Sequence, residues 1–294
     1  MDPTRSRWLA SSPMASESTP ERDVDDLILY TVEGGIAHVT INSPSQGNAL
    51  AGDMRDRLAD RFAEAGEDLA VRVVVLRGAG DRHFCTGAAL GGPQKPGPTK
   101  PDGAPARPLG DTARLVRTGW QRLVSSILDC EKPVIAAVNG TAAGGGAQLV
   151  LASDLVVFAD SARLIEVFVR RGIMPDAGGV YLLPRLVGLQ RAKELMFLGD
   201  EVGADEAYRL GLANRVVPAA ELDEQVAELA ERFLSLPTKA ISLTKRLLNR
   251  SFESSREQSF DDEAFFQELI VSSEDSQEGI RAFGERRQPE FRGW

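Results

Sequence analysis

Val138-Asn139-Gly140-Thr141-Ala142-Ala143-Gly144-Gly145-Gly146-Ala147-Gln148-Leu149 joins an apolar strand to an apolar helix through glycines. Upstream, residues 134–138 read as a strand. Pro133 stops the helical stripe before it, Leu115, Val116, Trp120, Leu123, Val124, Ile127 and Leu128. Downstream, a short apolar helix leads to a second buried-type strand over 155–159. An earlier round follows the same logic. Residues 73–76 form a short strand ending at Gly78, followed by His83-Phe84-Cys85-Thr86-Gly87-Ala88-Ala89-Leu90. Before it, runs over 27–32 and 36–41 flank Glu33-Gly34-Gly35 and predict a hairpin. Leu50, Met54, Leu58, Phe62 and Leu69 predict a helix over 49–70.

Towards the C-terminus no strand is expected after Pro218, and helices are predicted near 220–236, 238–252, 256–271 and 275–285. The expected organisation is an extension over 1–22, an α/β core over 23–218 and a helical region over 219–294. Phe260, Phe265, Phe266, Leu269 and Ile270 require burial on the core or on another subunit. The first residues are rich in Ser, Pro and Thr and read as a disordered extension, with Met14 an internal candidate start. Residues 91–110 read as a mobile surface loop of the kind that covers a site.

The 34 Lys and Arg against 43 Asp and Glu give a net charge of −9, which argues against a polyanionic partner such as nucleic acid. No apolar run is long enough to span a membrane. Cys85, Cys130, His38 and His83 are too few for an ordinary zinc site and no metal is expected; the cysteines read as free thiols in a reducing, cytoplasmic setting.

Glycine at both strand-to-loop junctions lets main chain approach a ligand closely. At the second, the unpaired N–H groups of a helix start face one point. That favours an anion or a developing oxyanion, although tight turns alone would also use glycine. Neither G-x-G-x-x-G nor G-x-x-x-x-G-K-[ST] is met, which excludes the common nucleotide-phosphate loops.

Five segments in order resemble the crotonases, the enoyl-CoA hydratase/isomerase superfamily. They are Asn42-Ser43-Pro44 with Asn48-Ala49-Leu50, Phe84-Cys85-Thr86-Gly87-Ala88, Ala136-Ala137-Val138-Asn139-Gly140 with Ala143-Gly144-Gly145-Gly146, Pro175-Asp176-Ala177-Gly178-Gly179, and Glu278-Gly279-Ile280-Arg281-Ala282-Phe283 with Pro289-Glu290-Phe291. The resemblance implies an α/β fold: a crotonase-like spiral of repeated ββα turns with a helical C-terminal trimerisation region. It also implies an acyl-CoA substrate, with coenzyme A part of that substrate and no separate cofactor, and a homotrimer or dimer of trimers. By position, the N–H groups of Ala88 and Gly145 would hold the thioester oxygen; Gly144 is a substrate-binding candidate, and Trp120, on the helix after the loop, reads either as a wall of the acyl pocket or as a core residue.

The resemblance places the two glutamates of the family's hydratases at Gln148 and Phe168, neither of which can shuttle a proton. Glu166 lies two residues before Phe168 and reads as structural or solvent-exposed. Asp176 reads either as a helix N-cap or as the base; its Pro-Asp context resembles the phenylacetate-pathway type of enoyl-CoA isomerase. The expected activity is an enoyl-CoA double-bond shift. The alternatives are hydration or a non-catalytic acyl-CoA-binding paralogue. Resemblance to haloaroyl-CoA dehalogenases stops at Asp176, because Phe168 stands where they carry a tryptophan. Ala89 occupies a position often held by aspartate, Cys85 reads as packed, and His83 as a loop residue. Arg82, Arg286 and Arg287 are candidates for the coenzyme A phosphates.

Overall fold

The computed structural model describes residues 23–89, 101–105 and 110–294. The expected extension over 1–22 lies outside the described residues, as does most of the expected loop over 91–110.

β1 (Ile28–Glu33) and β2 (Ile36–Ile41) form the predicted hairpin. Its turn residues, Gly34 and Gly35, both have positive φ (56° and 93°), the backbone that two-residue hairpin turns require. β3 (Val73–Gly78), β5 (Val134–Val138), β7 (Leu155–Ala159) and β10 (Arg215–Val217) extend this hairpin into a six-stranded sheet, parallel from β2 onward. β2 alternates buried and half-buried residues. β5 is buried throughout, as expected for a central strand covered on both faces.

A second, four-stranded sheet runs β4 (His83–Cys85), β6 (Thr141–Ala143), β8 (Arg163–Ile165), β9 (Glu201–Gly203). After a tight turn, β3, β5 and β7 each continue into β4, β6 and β8, and helices follow. These are the repeated units that the sequence anticipates. His83 is therefore a strand residue rather than a loop residue.

Helix α1 (Gly52–Glu67) is shorter than its apolar stripe suggests. Leu50 is held in an isolated bridge to Ala88, and Leu69, beyond the last turn, is 67% exposed. The next stripe becomes α2 (Asp111–Val116), a π-helical turn (Arg117–Gln121) and α3 (Arg122–Leu128). α4 (Gly145–Ala152) follows β6, and α5 (Gly179–Val187), α6 (Leu189–Leu198) and α7 (Ala204–Arg209) follow β8.

After Pro218 come α8 (Leu222–Leu234), α9 (Thr238–Arg250), α10 (Arg256–Ile270) and α11 (Glu274–Glu285), close to the expected bounds. α8 packs across β3, β5 and β7 and so completes the core. α9 is anchored by Lys245, which is buried and donates to Asp154 at 2.7 Å and to the carbonyls of Ile127 (2.9 Å) and Lys132 (3.2 Å). In contrast, α10 buries none of its residues among the described residues. Phe260 and Phe265 remain about three-fifths exposed (61% and 62%), so the core does not supply the burial that their sequence calls for.

Removing one partner of a buried ion pair strands the other charge, at a cost of about 3–5 kcal/mol. Lys245→Met should lower the unfolding free energy by that order in urea titrations. A variant with the parent's midpoint would show that the anchor is dispensable.

Candidate active site

The two glycine junctions touch. Gly87 has φ 91°, and a Cβ there would fall 2.9 Å from the Ala143 carbonyl oxygen and 3.0 Å from the Gly145 nitrogen. A Cβ on Gly146 would run into the carbonyl of Cys85. Only residues without side chains permit this approach. The Leu50–Ala88 bridge is made by Leu50 N–H donating to Gly87 (2.8 Å) and Ala89 N–H donating to Leu50 (3.0 Å). This pattern turns the N–H of Ala88 to the opposite side. Gly145 is the first residue of α4, so its N–H has no intrahelical acceptor. Among the described residues, neither N–H has a partner.

Two buried asparagines hold the turns. Asn48, at φ 54°, accepts from Ser43 N–H (3.0 Å) and donates to the carbonyls of Ala79 (3.0 Å) and His83 (2.7 Å). Asn139 accepts from Gly78 N–H (3.3 Å) and donates to Gly80 (2.7 Å). The first turn, which lacks an aspartate at Ala89, is thus braced by main chain and by Asn48. Gly144, at φ 53° and ψ −121°, donates its own N–H to Ile165 at 3.0 Å; it shapes the turn.

Trp120 lies on the π-helical turn, and its indole packs on the Cα of Gly145. The guanidinium of Arg55, from α1, stands 5.9 Å from that ring and against Gly119. A π turn inserts one residue into a helix and redirects a side chain, and such turns recur at functional sites. No sequence pattern pointed to Arg55.

Gln148 is fully buried, and Phe168 is buried with its ring beside Gly144. Of the two expectations for Glu166, structural or solvent-exposed, the structure excludes the second. Its carboxylate is 1% exposed, and both of its oxygens accept from Gln148 Nε2 at 3.0 Å. Burial pushes its carboxyl up to about 7, opposed only by the hydrogen bond from Gln148. β8 ends at Ile165 and a 3₁₀ turn (Val167–Arg171) begins directly after Glu166, so strand alternation does not govern the direction of this side chain.

Asp176 is half-buried and is not the N-cap of α5. Gly178, at φ 84°, occupies that position, and Ala177 between them has φ 52°. The carbonyl of Asp176 accepts from Gly179 N–H (3.1 Å), which leaves the carboxylate free of capping duty. Burial raises its carboxyl, against the opposing pull of its own N–H and of Arg55. Cys85 is fully buried with its thiol pushed up to about 12, consistent with a packed rather than nucleophilic residue. Arg287 is committed to Glu278 and Glu285. No cluster of three metal-ligating side chains occurs among the described residues, and no described helix is long and apolar enough to cross a membrane.

The sequence profile of the enoyl-CoA hydratase/isomerase family matches residues 31–293. The chain belongs to this family. It is 35% identical over 268 residues to a 1,2-epoxyphenylacetyl-CoA isomerase of Escherichia coli K12, covering 91% of this chain and 99% of the relative. It is likewise 35% identical to a crotonyl-CoA hydratase of Syntrophomonas wolfei, with coverage of 90% and 97%. Among solved structures, an enoyl-CoA hydratase from Bacillus anthracis superposes with a TM-score of 0.81 at 31% identity, covering 91% of this chain and all of that one (100%). The spiral described above is thus the crotonase fold, and the protein is an enoyl-CoA hydratase/isomerase family enzyme acting on acyl-CoA.

Glu166 has a measurable signature in stability. A carboxyl raised in the fold binds its proton more tightly there than in the unfolded chain. Its contribution is therefore fully present below the usual glutamate value and lost as pH rises through about 7. Relative to the parent, Glu166→Gln should become more stable between pH 5 and pH 8, by up to about 3 kcal/mol. Denaturant titrations at the two pH values read this directly; a parallel pH dependence in parent and variant would place the carboxyl at an ordinary value.

Proposed function

We propose that the protein is an enoyl-CoA double-bond isomerase in which Ala88 and Gly145 hold the thioester oxygen and Asp176 moves the proton. The observation that carries this reading is Asp176 itself. It is a half-buried carboxylate of raised basicity on the loop entering α5, in a site whose two hydratase positions are a buried amide and a phenyl ring.

The chemistry follows from the groups present. In a 3-enoyl thioester the proton at C2 is acidified by the carbonyl and by the adjoining double bond. Its removal by Asp176 gives a dienolate whose negative oxygen is met by two main-chain N–H donors. Each such donor is typically worth about 2.7–4 kcal/mol in the transition state. Returning the proton from Asp176 to C4 closes the cycle: the C3–C4 double bond becomes C2–C3, with no water consumed and no second carboxylate needed. Trp120, packed over Gly145, forms a wall for the acyl group, and Gly144 shapes the turn beneath it.

Asp176→Asn keeps the shape of the side chain but removes the base. Turnover on 3-enoyl-CoA thioesters should fall by roughly 10²–10⁴-fold while coenzyme A thioester binding persists. An Asn variant as active as the parent would remove Asp176 from the mechanism. Hydration, the reaction in the name of the Syntrophomonas relative, is the second reading. It would be favoured if the parent hydrated crotonyl-CoA faster than it shifted a double bond. A protein that binds thioesters but turns over neither substrate would be a non-catalytic paralogue.

The assembly proposed is a trimer or a dimer of trimers joined through residues after Pro218. The support is the exposed apolar face of α10, with Phe260, Phe265 and Leu269 uncovered by any of the described residues. Light scattering on the full chain should give a multiple of three protomers; a monomer would refute the assembly.

A further inference from the structure

The buried Gln148–Glu166 pair has no part in the mechanism above, yet it lies where three elements of the site meet. Gln148 sits on α4, the helix whose first residue is the donor Gly145. Glu166 follows directly on Ile165, whose carbonyl accepts the N–H of Gly144 at 3.0 Å. The amide of Gln148 also presses on the first residue of α5. A Cβ on Gly179 would fall 2.7 Å from Gln148 Oε1 and 3.0 Å from Nε2. Gly179 in turn donates its N–H to Asp176. The oxyanion helix, the segment after β8 and the Asp176 loop therefore converge on one amide, and the Glu166 carboxylate fixes its orientation.

We infer that Glu166 is a positioning residue for proton transfer, its carboxylate orienting the Gln148 amide that sets the Asp176 loop against the oxyanion turn. The inference rests on the reading of this site as a thioester enolate site. Two further observations support it. First, Gln148 Oε1 is buried with no partner among the described residues, so among these the amide is oriented by its Nε2 bonds. Second, the arrangement depends on the charge of Glu166. Once protonated, the carboxyl has an O–H to donate, and the orphaned Oε1 becomes its natural acceptor if the amide turns over. Both states are accessible near neutral pH, since burial holds this carboxyl at about 7. Gln148 is its only electrostatic partner among the described residues; Arg170 and Arg171, on its own 3₁₀ turn, are exposed, and the Asp176 loop brings Asp176 with Arg55.

The test is the pH dependence, from pH 5 to 9, of kcat and KM for parent, Glu166→Gln and Asp176→Asn, with isomerisation of a 3-enoyl-CoA and hydration of crotonyl-CoA both measured. In the parent, kcat should carry an ionisation near neutrality. Glu166→Gln should lower kcat about 10-fold or more, shift KM less than threefold, and lose that ionisation. Equal folding of parent and variant is checked by circular dichroism. A purely structural role would not remove a limb of the pH profile. If Glu166→Gln keeps the parent's kcat and profile on whichever substrate is turned over, the inference is overturned, even if Asp176→Asn is inactive and the isomerase reading holds. If the parent only hydrates and Asp176→Asn is fully active, the isomerase reading fails. The inference then still stands provided that Glu166→Gln loses the near-neutral limb of hydration. A parent that turns over neither substrate overturns both.

Discussion

The close approach of two glycine turns is the constraint on which the rest of the site depends. Gly87 rests on the Ala143 carbonyl and the Gly145 nitrogen, and Gly146 on the carbonyl of Cys85. Main chain meets main chain at distances that no Cβ would allow. Because the turns touch, the N–H groups of Ala88 and Gly145, from distant parts of the sequence, are brought into one region, and neither has an acceptor among the described residues. These turns are held by the sheets and by Asn48 and Asn139, so in the proposed role their N–H groups would need no reorganisation as charge develops on a bound oxygen. On the reading proposed above, the fold would supply electrostatic stabilisation and leave the reaction type to the side chains around it.

By resemblance, the positions of the two hydratase glutamates carry an amide and a phenyl ring, and a carboxylate stands beside the amide. The helix carrying Gly145 presents an amide at Gln148, and the following segment presents Phe168 to the turn and Glu166 to that amide. Asp176 is linked to the same amide through Gly179, which packs on Gln148 and donates its N–H to the Asp176 carbonyl. Relatives of comparable similarity carry the names of an isomerase and of a hydratase, which is what a shared oxyanion site with exchangeable proton-transfer groups would produce.

Much of this was legible in the sequence because long, periodic segments announce themselves. The parallel strands β3, β5 and β7 are apolar runs, and the four C-terminal helices fall close to their expected bounds. The strands of the small sheet, β4, β6, β8 and β9, have three residues each, too few for alternation to register. The same brevity left the direction of Glu166 open between its two readings, because β8 ends one residue before it and a 3₁₀ turn resets the side-chain direction. Arg55 had no local signature; its place against Trp120 depends on how α1 packs beside the π turn. Asp176 was singled out, but its freedom from capping became evident only when Gly178 proved to be the cap.

The central claim is that the N–H groups of Ala88 and Gly145 grip a thioester carbonyl. The most direct measurement is the infrared or Raman difference spectrum of a bound acyl-CoA, with and without carbon-13 at the thioester carbon. Two converging donors polarise the carbonyl, so its stretching band should move to clearly lower frequency on binding than for the same thioester free in water. A band that binds unshifted, or that moves to higher frequency as in an apolar pocket, would contradict the account.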